Sequence, residues 1–133
     1  MRKRFIAVLA ALSVCFGPIP EVKAQSSTVC TAGNAVPFAK ETIAVSTSAV
    51  ILTRATYIPG GGVNPATVAL ISVQGGENVR VWFDGSVPTS TSGIVVQSGQ
   101  SLYVCGTVLQ TFQAIRDDSA DSELAVQYFN VAQ

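Results

Sequence analysis

From Asn78 to Asp84 apolar and polar residues alternate, with Val79, Val81 and Phe83 on one side and Arg80, Trp82 and Asp84 on the other. A two-residue period of this kind is a half-buried strand. Asp84-Gly85 then supplies a side chain that bonds its own backbone and a residue free to take positive φ. Asp84 is expected to accept from the N–H of Ser86 or Val87. Pro88 lacks an N–H, so regular pairing should stop before it. The other apolar runs have similar lengths. Strands are expected over Glu41 to Ser46, Ala49 to Thr53, Ala66 to Gln74, Gly93 to Gln97, Gln100 to Cys105, Leu109 to Arg116 and Glu123 to Val131. Ser98-Gly99 and Asp117 to Ser122 read as hairpin connections. Tyr57 to Pro65 holds three glycines and two prolines and reads as a loop.

About eight short strands at ten-residue spacing, with no run at helical spacing beyond the N-terminal segment, predict an all-β fold. The expected architecture is a single small antiparallel β-sandwich, immunoglobulin-like or jelly-roll. These two differ in strand order, which the periodicity leaves open.

The N-terminus follows different rules. Arg2, Lys3 and Arg4 precede an apolar run from Phe5 to Phe16, broken by Gly17, Pro18 and Pro20 and followed by Val22-Lys23-Ala24. That order predicts a signal peptide over 1–24. An uncleaved N-terminal helix is the alternative. Val14 before Cys15 is too large for a lipidation site. Residues 25–40 are expected to form an extended N-terminal arm and 41–133 the sandwich domain.

Cleavage after Ala24 would leave four bases, Lys40, Arg54, Arg80 and Arg116, against seven acids, Glu41, Glu77, Asp84, Asp117, Asp118, Asp121 and Glu123. A mildly acidic domain with scattered bases lacks the footprint for nucleic acid or for anionic lipid. Cys30 and Cys105 would remain, and in an exported chain such a pair closes a disulfide.

The chain contains no histidine, which removes Ser-His-Asp and Cys-His catalysis. The glycines at 60–62 are followed by neither lysine nor helix, so they do not form a phosphate cradle. The acidic turn Asp117 to Glu123 departs from calcium-loop spacing and reads as a solvated turn. No catalytic residue, metal or cofactor is expected. Trp82 and Arg80 share a strand face, where an aromatic beside an arginine suits a protein partner or a sugar ring. With Tyr57 of the glycine-rich loop they are the candidate partner-binding residues. Tyr103, Tyr128 and Phe129 read as core or rim packing.

The run Val79-Arg80-Val81-Trp82-Phe83-Asp84-Gly85-Ser86-Val87-Pro88-Thr89, with Phe112-Gln113-Ala114-Ile115-Arg116 and Leu124-Ala125-Val126-Gln127-Tyr128, resembles small β-sandwich proteins of tailed phages and prophages. The likeness covers roughly residues 42–129. It implies a non-enzymatic head-stabilising or virion-surface component, or an exported relative of one. The implied partner is a protein of a capsid or cell-surface assembly, and a homo-oligomer stays open. The Asp-Gly-Ser-x-Pro-Thr turn is also similar to the C-terminal immunoglobulin-like module of chitobiase-type glycosidases, which implies a secreted carbohydrate-binding module instead. The expected location is periplasmic, extracellular or on a virion surface, with no membrane association after cleavage.

Overall fold

Eight strands form two four-stranded antiparallel sheets in a computed structural model that describes residues 34–61 and 65–131. They are β1 (Ala35–Val45), β2 (Val50–Ile51), β3 (Val68–Gln74), β4 (Val79–Trp82), β5 (Ile94–Val96), β6 (Ser101–Cys105), β7 (Gln113–Arg116) and β8 (Ser122–Val131). Two single-turn helices, α1 (Arg54–Tyr57) and α2 (Val108–Thr111), sit in the connections. Sheet A has the order β1-β8-β3-β6 and sheet B the order β2-β7-β4-β5.

The pairs β1·β8, β2·β7, β3·β6 and β4·β5 are nested about the β4–β5 connection. One long folded hairpin is thus wrapped so that successive pairs fall in alternate sheets. That order is the jelly roll, which resolves the choice left open by the periodicity.

Alternation places the core between the sheets. Ala69, Ile71 and Val73 of β3, Leu124, Val126 and Tyr128 of β8 and Val104 of β6 face Val79 and Val81 of β4 and Ala114 of β7, all buried. Each large aliphatic side chain so removed from water contributes about 1.5–3 kcal/mol before entropy is counted. Leu52, Leu109 and Phe112 come from the connections and close the space between the sheet ends. Phe112 also meets the Phe83 ring, with centroids 6.0 Å apart. The chain places these apolar residues just outside regular strands, where a bend lets them turn inward.

Several expected elements differ in the structure. The β1 strand begins at Ala35, so the last six residues of the expected arm belong to sheet A. It is an edge strand, and the edge position admits Pro37, with an irregularity in register between Pro37 and Ala39. The Ser98-Gly99 turn does not join a hairpin: β5 pairs in sheet B and β6 in sheet A. The segment after Arg116 likewise carries the chain from β7 in sheet B to β8 in sheet A. Leu109 to Thr111 is helical rather than extended, and the second expected strand shrinks to Val50–Ile51. The opening strand ends at Trp82, before Phe83 and Asp84. Turn residues marked where the chain bends, but a bend between sheets and a bend within one carry the same local chemistry.

Candidate partner-binding faces

The pairing register assembles the outward face of sheet B. Trp82 of β4 lies opposite Gln113 of β7, which lies opposite Ile51 of β2. Arg80 lies between Ile115 of β7 and Val95 of β5. Two rows result, Ile51–Gln113–Trp82 and Ile115–Arg80–Val95. Ile51 is 62 % exposed, Val95 is exposed, and Trp82 and Ile115 are half-buried.

Arg80 is the charged residue in these rows, and its guanidinium is occupied. Its Nε donates to Asp117 Oδ1 and its Nη1 donates to the Gly93 carbonyl at 3.3 Å. Both side chains are largely covered, so the charge is spent within the domain and does not reach outward. Gly93 makes this possible. It adopts φ of +137°, and a Cβ there would fall 3.0 Å from Arg80 Cβ and 3.3 Å from Pro88 Cβ. Any larger residue would push the Arg80 stem off its partner. Pro88 itself is buried and lies beyond the end of regular pairing, as its missing N–H requires.

At the end of β4 the turn is bonded from three sides. Ser86 N–H donates to Asp84 Oδ1 at 2.9 Å, and Gly85 has φ of +88°. Thr111 Oγ1 donates to the Phe83 carbonyl at 2.6 Å, and Gln113 Nε2 donates to the Gly85 carbonyl at 2.7 Å. The turn is therefore held by its own carboxylate and by α2 and β7 next to it. Hydrogen bonds from Ser86 hold the Asp84 carboxyl below the ordinary aspartate range. A lowered folded pKa stabilises the native state above the unfolded value of 3.8, and that contribution is lost as pH falls through the folded pKa. Asp84→Asn should accordingly flatten the acid limb of the stability–pH curve below about pH 4 while leaving binding unchanged. Urea titrations at pH 2.5 to 6 on both proteins measure this; an acid limb identical in both would remove the turn's role.

Tyr57 does not belong to a surface site. It is 4 % exposed and packs in the core, its ring centroid 6.0 Å from that of Tyr128. The helix α1 causes this: one helical turn before Pro59 rotates the tyrosine beneath β1 instead of leaving it in an open loop. Tyr128 Oη donates to Glu41 Oε1, which also accepts Thr53 N–H at 3.0 Å. Burial and the neighbouring Glu41 carboxylate push the Tyr128 hydroxyl well above the ordinary tyrosine range. Glu41 thus fastens β1, β8 and the start of α1, a role that the sequence did not reveal.

The acidic turn resolves into separate pairs. Asp117 meets Arg80, and Asp121 accepts from Arg116 Nη1 at 2.8 Å. Among the described residues no group of three or more acids, cysteines or histidines converges on a metal-sized site. Cys105 lies half-buried at the end of β6, whereas Cys30 and residues 1–24 fall outside the described residues.

The outward face of sheet A carries a second surface that sequence reasoning missed. Its rows read Lys40–Gln127–Leu70–Tyr103 and Thr42–Ala125–Ser72–Ser101. Small residues in the second row leave an open trough of about 500 Å³ lined by Lys40, Thr42, Leu70, Ser72, Ala125 and Gln127. Tyr103 stands at one end, 52 % exposed. Its position at an outward parity of an edge strand is a usable signal, which the reading of Tyr103 as core or rim packing did not use.

No family model, no curated protein and no solved structure matches this chain.

Proposed function

We propose that this chain is a non-enzymatic jelly-roll interaction protein, a phage-type virion-surface or capsid-stabilising component or an exported relative of one. It docks on a protein partner through the outward face of sheet B. The observation that supports this reading is the Ile51–Gln113–Trp82 and Ile115–Arg80–Val95 face, apolar and aromatic, whose arginine charge is neutralised from within by Asp117. The centres of protein interfaces favour this chemistry: aromatic and arginine side chains, few unpaired charges, and little desolvation cost. Jelly rolls serve in capsid and lectin domains, a fold-level analogy that agrees with the reading without carrying it. The docking needs no cofactor.

A second reading, a secreted carbohydrate-binding module, is favoured by the trough on sheet A. Tyr103 offers a ring for stacking, and Gln127, Ser72 and Lys40 offer polar groups beside it.

Photo-crosslinking residues placed at Ile51 and Val95, and at Tyr103 and Thr42 for comparison, separate the two readings in cells making the full chain. Protein adducts from the Ile51 and Val95 positions are the expected result. Adducts confined to Tyr103 and Thr42, or glycan-array binding abolished by Tyr103→Ala, would transfer the function to sheet A.

A further inference from the structure

The two sheets end in four edge strands, and three of them are blunted. β1 carries Pro37, a register irregularity beside it, and the charges of Lys40 and Glu41. β2 is two residues long and β5 three. Prolines, charges, irregular register and shortness are the means by which sheet edges resist pairing with another chain. β6 has none of them. Its five residues run in unbroken register with β3, without proline or charge. It is the last strand of sheet A, so no described strand lies on its other side.

Bonds at the two ends of β6 show which backbone groups face this open edge. Gly106 N–H donates to the Thr67 carbonyl at 2.9 Å, and Val73 N–H donates to the Gln100 carbonyl at 2.9 Å. Bonding positions alternate along an antiparallel pair, so Leu102 and Val104 also turn their groups toward β3. Ser101 and Tyr103 turn theirs toward the open edge.

Charge singles out the occupant. Residues 85–115 contain no Asp, Glu, Lys or Arg. That run supplies β5 and β6, which only residues 97–100 separate, so the two strands share one side of the sandwich. On this side Ile94 is 49 % exposed, although Val81, directly opposite it on β4, is fully buried. An uncharged side meets a copy of itself without repulsion, whereas a partner recognised by charge finds nothing there to pair with.

We infer that two copies of this chain pair along β6, antiparallel about a two-fold axis through Tyr103. The Tyr103 N–H of each copy donates to the Tyr103 carbonyl of the other. Leu102 of one copy then lies opposite Val104 of the other. The register is self-complementary because the groups at the axis are those that face the open edge, as an isologous contact requires. The two copies of sheet A become one continuous sheet, with the Tyr103 rings as a cross-strand aromatic pair at its centre. Ile94 is covered by the second copy, and the outward face of each sheet B stays open. The inference stands on the sheet A register and the charge-free run, and does not rest on the docking assignment.

Sedimentation equilibrium of the full chain over a concentration series tests it. The mass of two chains at micromolar concentration is the expected result. Tyr103→Lys sets two like charges opposite each other at the axis while occupying an exposed site in the single chain. It should weaken association by at least about tenfold with an unchanged circular dichroism spectrum. Tyr103→Cys supplies a second readout should the lysine variant fail to fold. Cα atoms of a bonded antiparallel pair lie about 5.5 Å apart, within disulfide range, so mild oxidation should link two copies of this variant and not of Thr42→Cys. A single-chain mass at every concentration overturns the inference, whether or not another protein then supplies a strand to β6. A dimer that neither weakens with Tyr103→Lys nor cross-links through Tyr103→Cys overturns it too.

Discussion

Phe112→Ala should cost about 3–5 kcal/mol of stability, the range for emptying a buried aromatic site. Phe112 is 1 % exposed, follows α2 directly and precedes β7. It fills the end of the sandwich against Phe83. The short helix is fixed by the Phe112 N–H bond to the Val108 carbonyl at 2.9 Å, and the same helix holds Thr111 on the Phe83 carbonyl. The site cannot collapse easily, because both of its walls are tied by these bonds. Loss of the ring should therefore loosen the β4–β5 turn as well as the core. Chemical denaturation gives the magnitude. Amide exchange should show Ser86 losing protection together with Phe112. A cost below about 1 kcal/mol would mean that the end of the sandwich is not packed as described.

The second large effect concerns Glu41. Glu41→Ala should cost about 1–3 kcal/mol, because it leaves the buried Tyr128 hydroxyl without its acceptor and removes the bond that ties the exposed Thr53 N–H to β1. Glu41 is half-buried at an inward position of β1, and Tyr128 is fully buried. A carboxylate there accepts from a buried hydroxyl and from a backbone N–H at the surface. Tyr128→Phe should cost less, since it removes a donor and leaves Glu41 its bond to Thr53. The double variant should be less destabilised than the sum of the singles, which is the signature of direct contact. The sign with pH follows from the raised tyrosine pKa. The unfolded chain ionises near the ordinary value of 10.0 while the folded chain holds its proton. Stability is then full below that pH and falls as pH rises through it. Tyr128→Phe should reduce this alkaline loss. An additive double variant would place Glu41 outside the contact.

The strands were legible because their alternation is strict. Val79 and Val81 against Arg80 and Trp82, or Leu124, Val126 and Tyr128 against Ala125 and Gln127, encode which face is buried regardless of partner. The connections were not legible in the same way. Gly99, with φ of +82°, turns the chain whether β5 and β6 share a sheet or not, so the jelly-roll order emerges only from pairings distant in sequence. Glycine-rich surroundings hid α1, whose single turn is too short to persist by propensity and packs against β1 with Tyr57 in the core. The candidate face was half visible. Trp82 and Arg80 announced themselves by parity, but Ile51, Ile115 and Val95 join them through pairings of β2, β7 and β5 that no local pattern specifies. Asp117 looked like part of an acidic turn because its partner Arg80 lies 37 residues away.

Occupancy of sheet B is the central claim, and Ile51→Asp tests it most directly. Ile51 is exposed on a two-residue strand, so an aspartate there disturbs little of the fold but places an unpaired charge at the β2 end of the Ile51–Gln113–Trp82 row. The measurement is the fraction of full-length protein that co-sediments with the native particle or cell-surface assembly, compared with the unmodified chain at equal thermal stability. Release of the variant into the soluble fraction, by about tenfold in apparent affinity, is the predicted result, since burying an unpaired charge at an interface costs well over 1 kcal/mol. Undiminished retention of Ile51→Asp, with retention lost instead on Tyr103→Ala, would contradict the account and place the partner on sheet A.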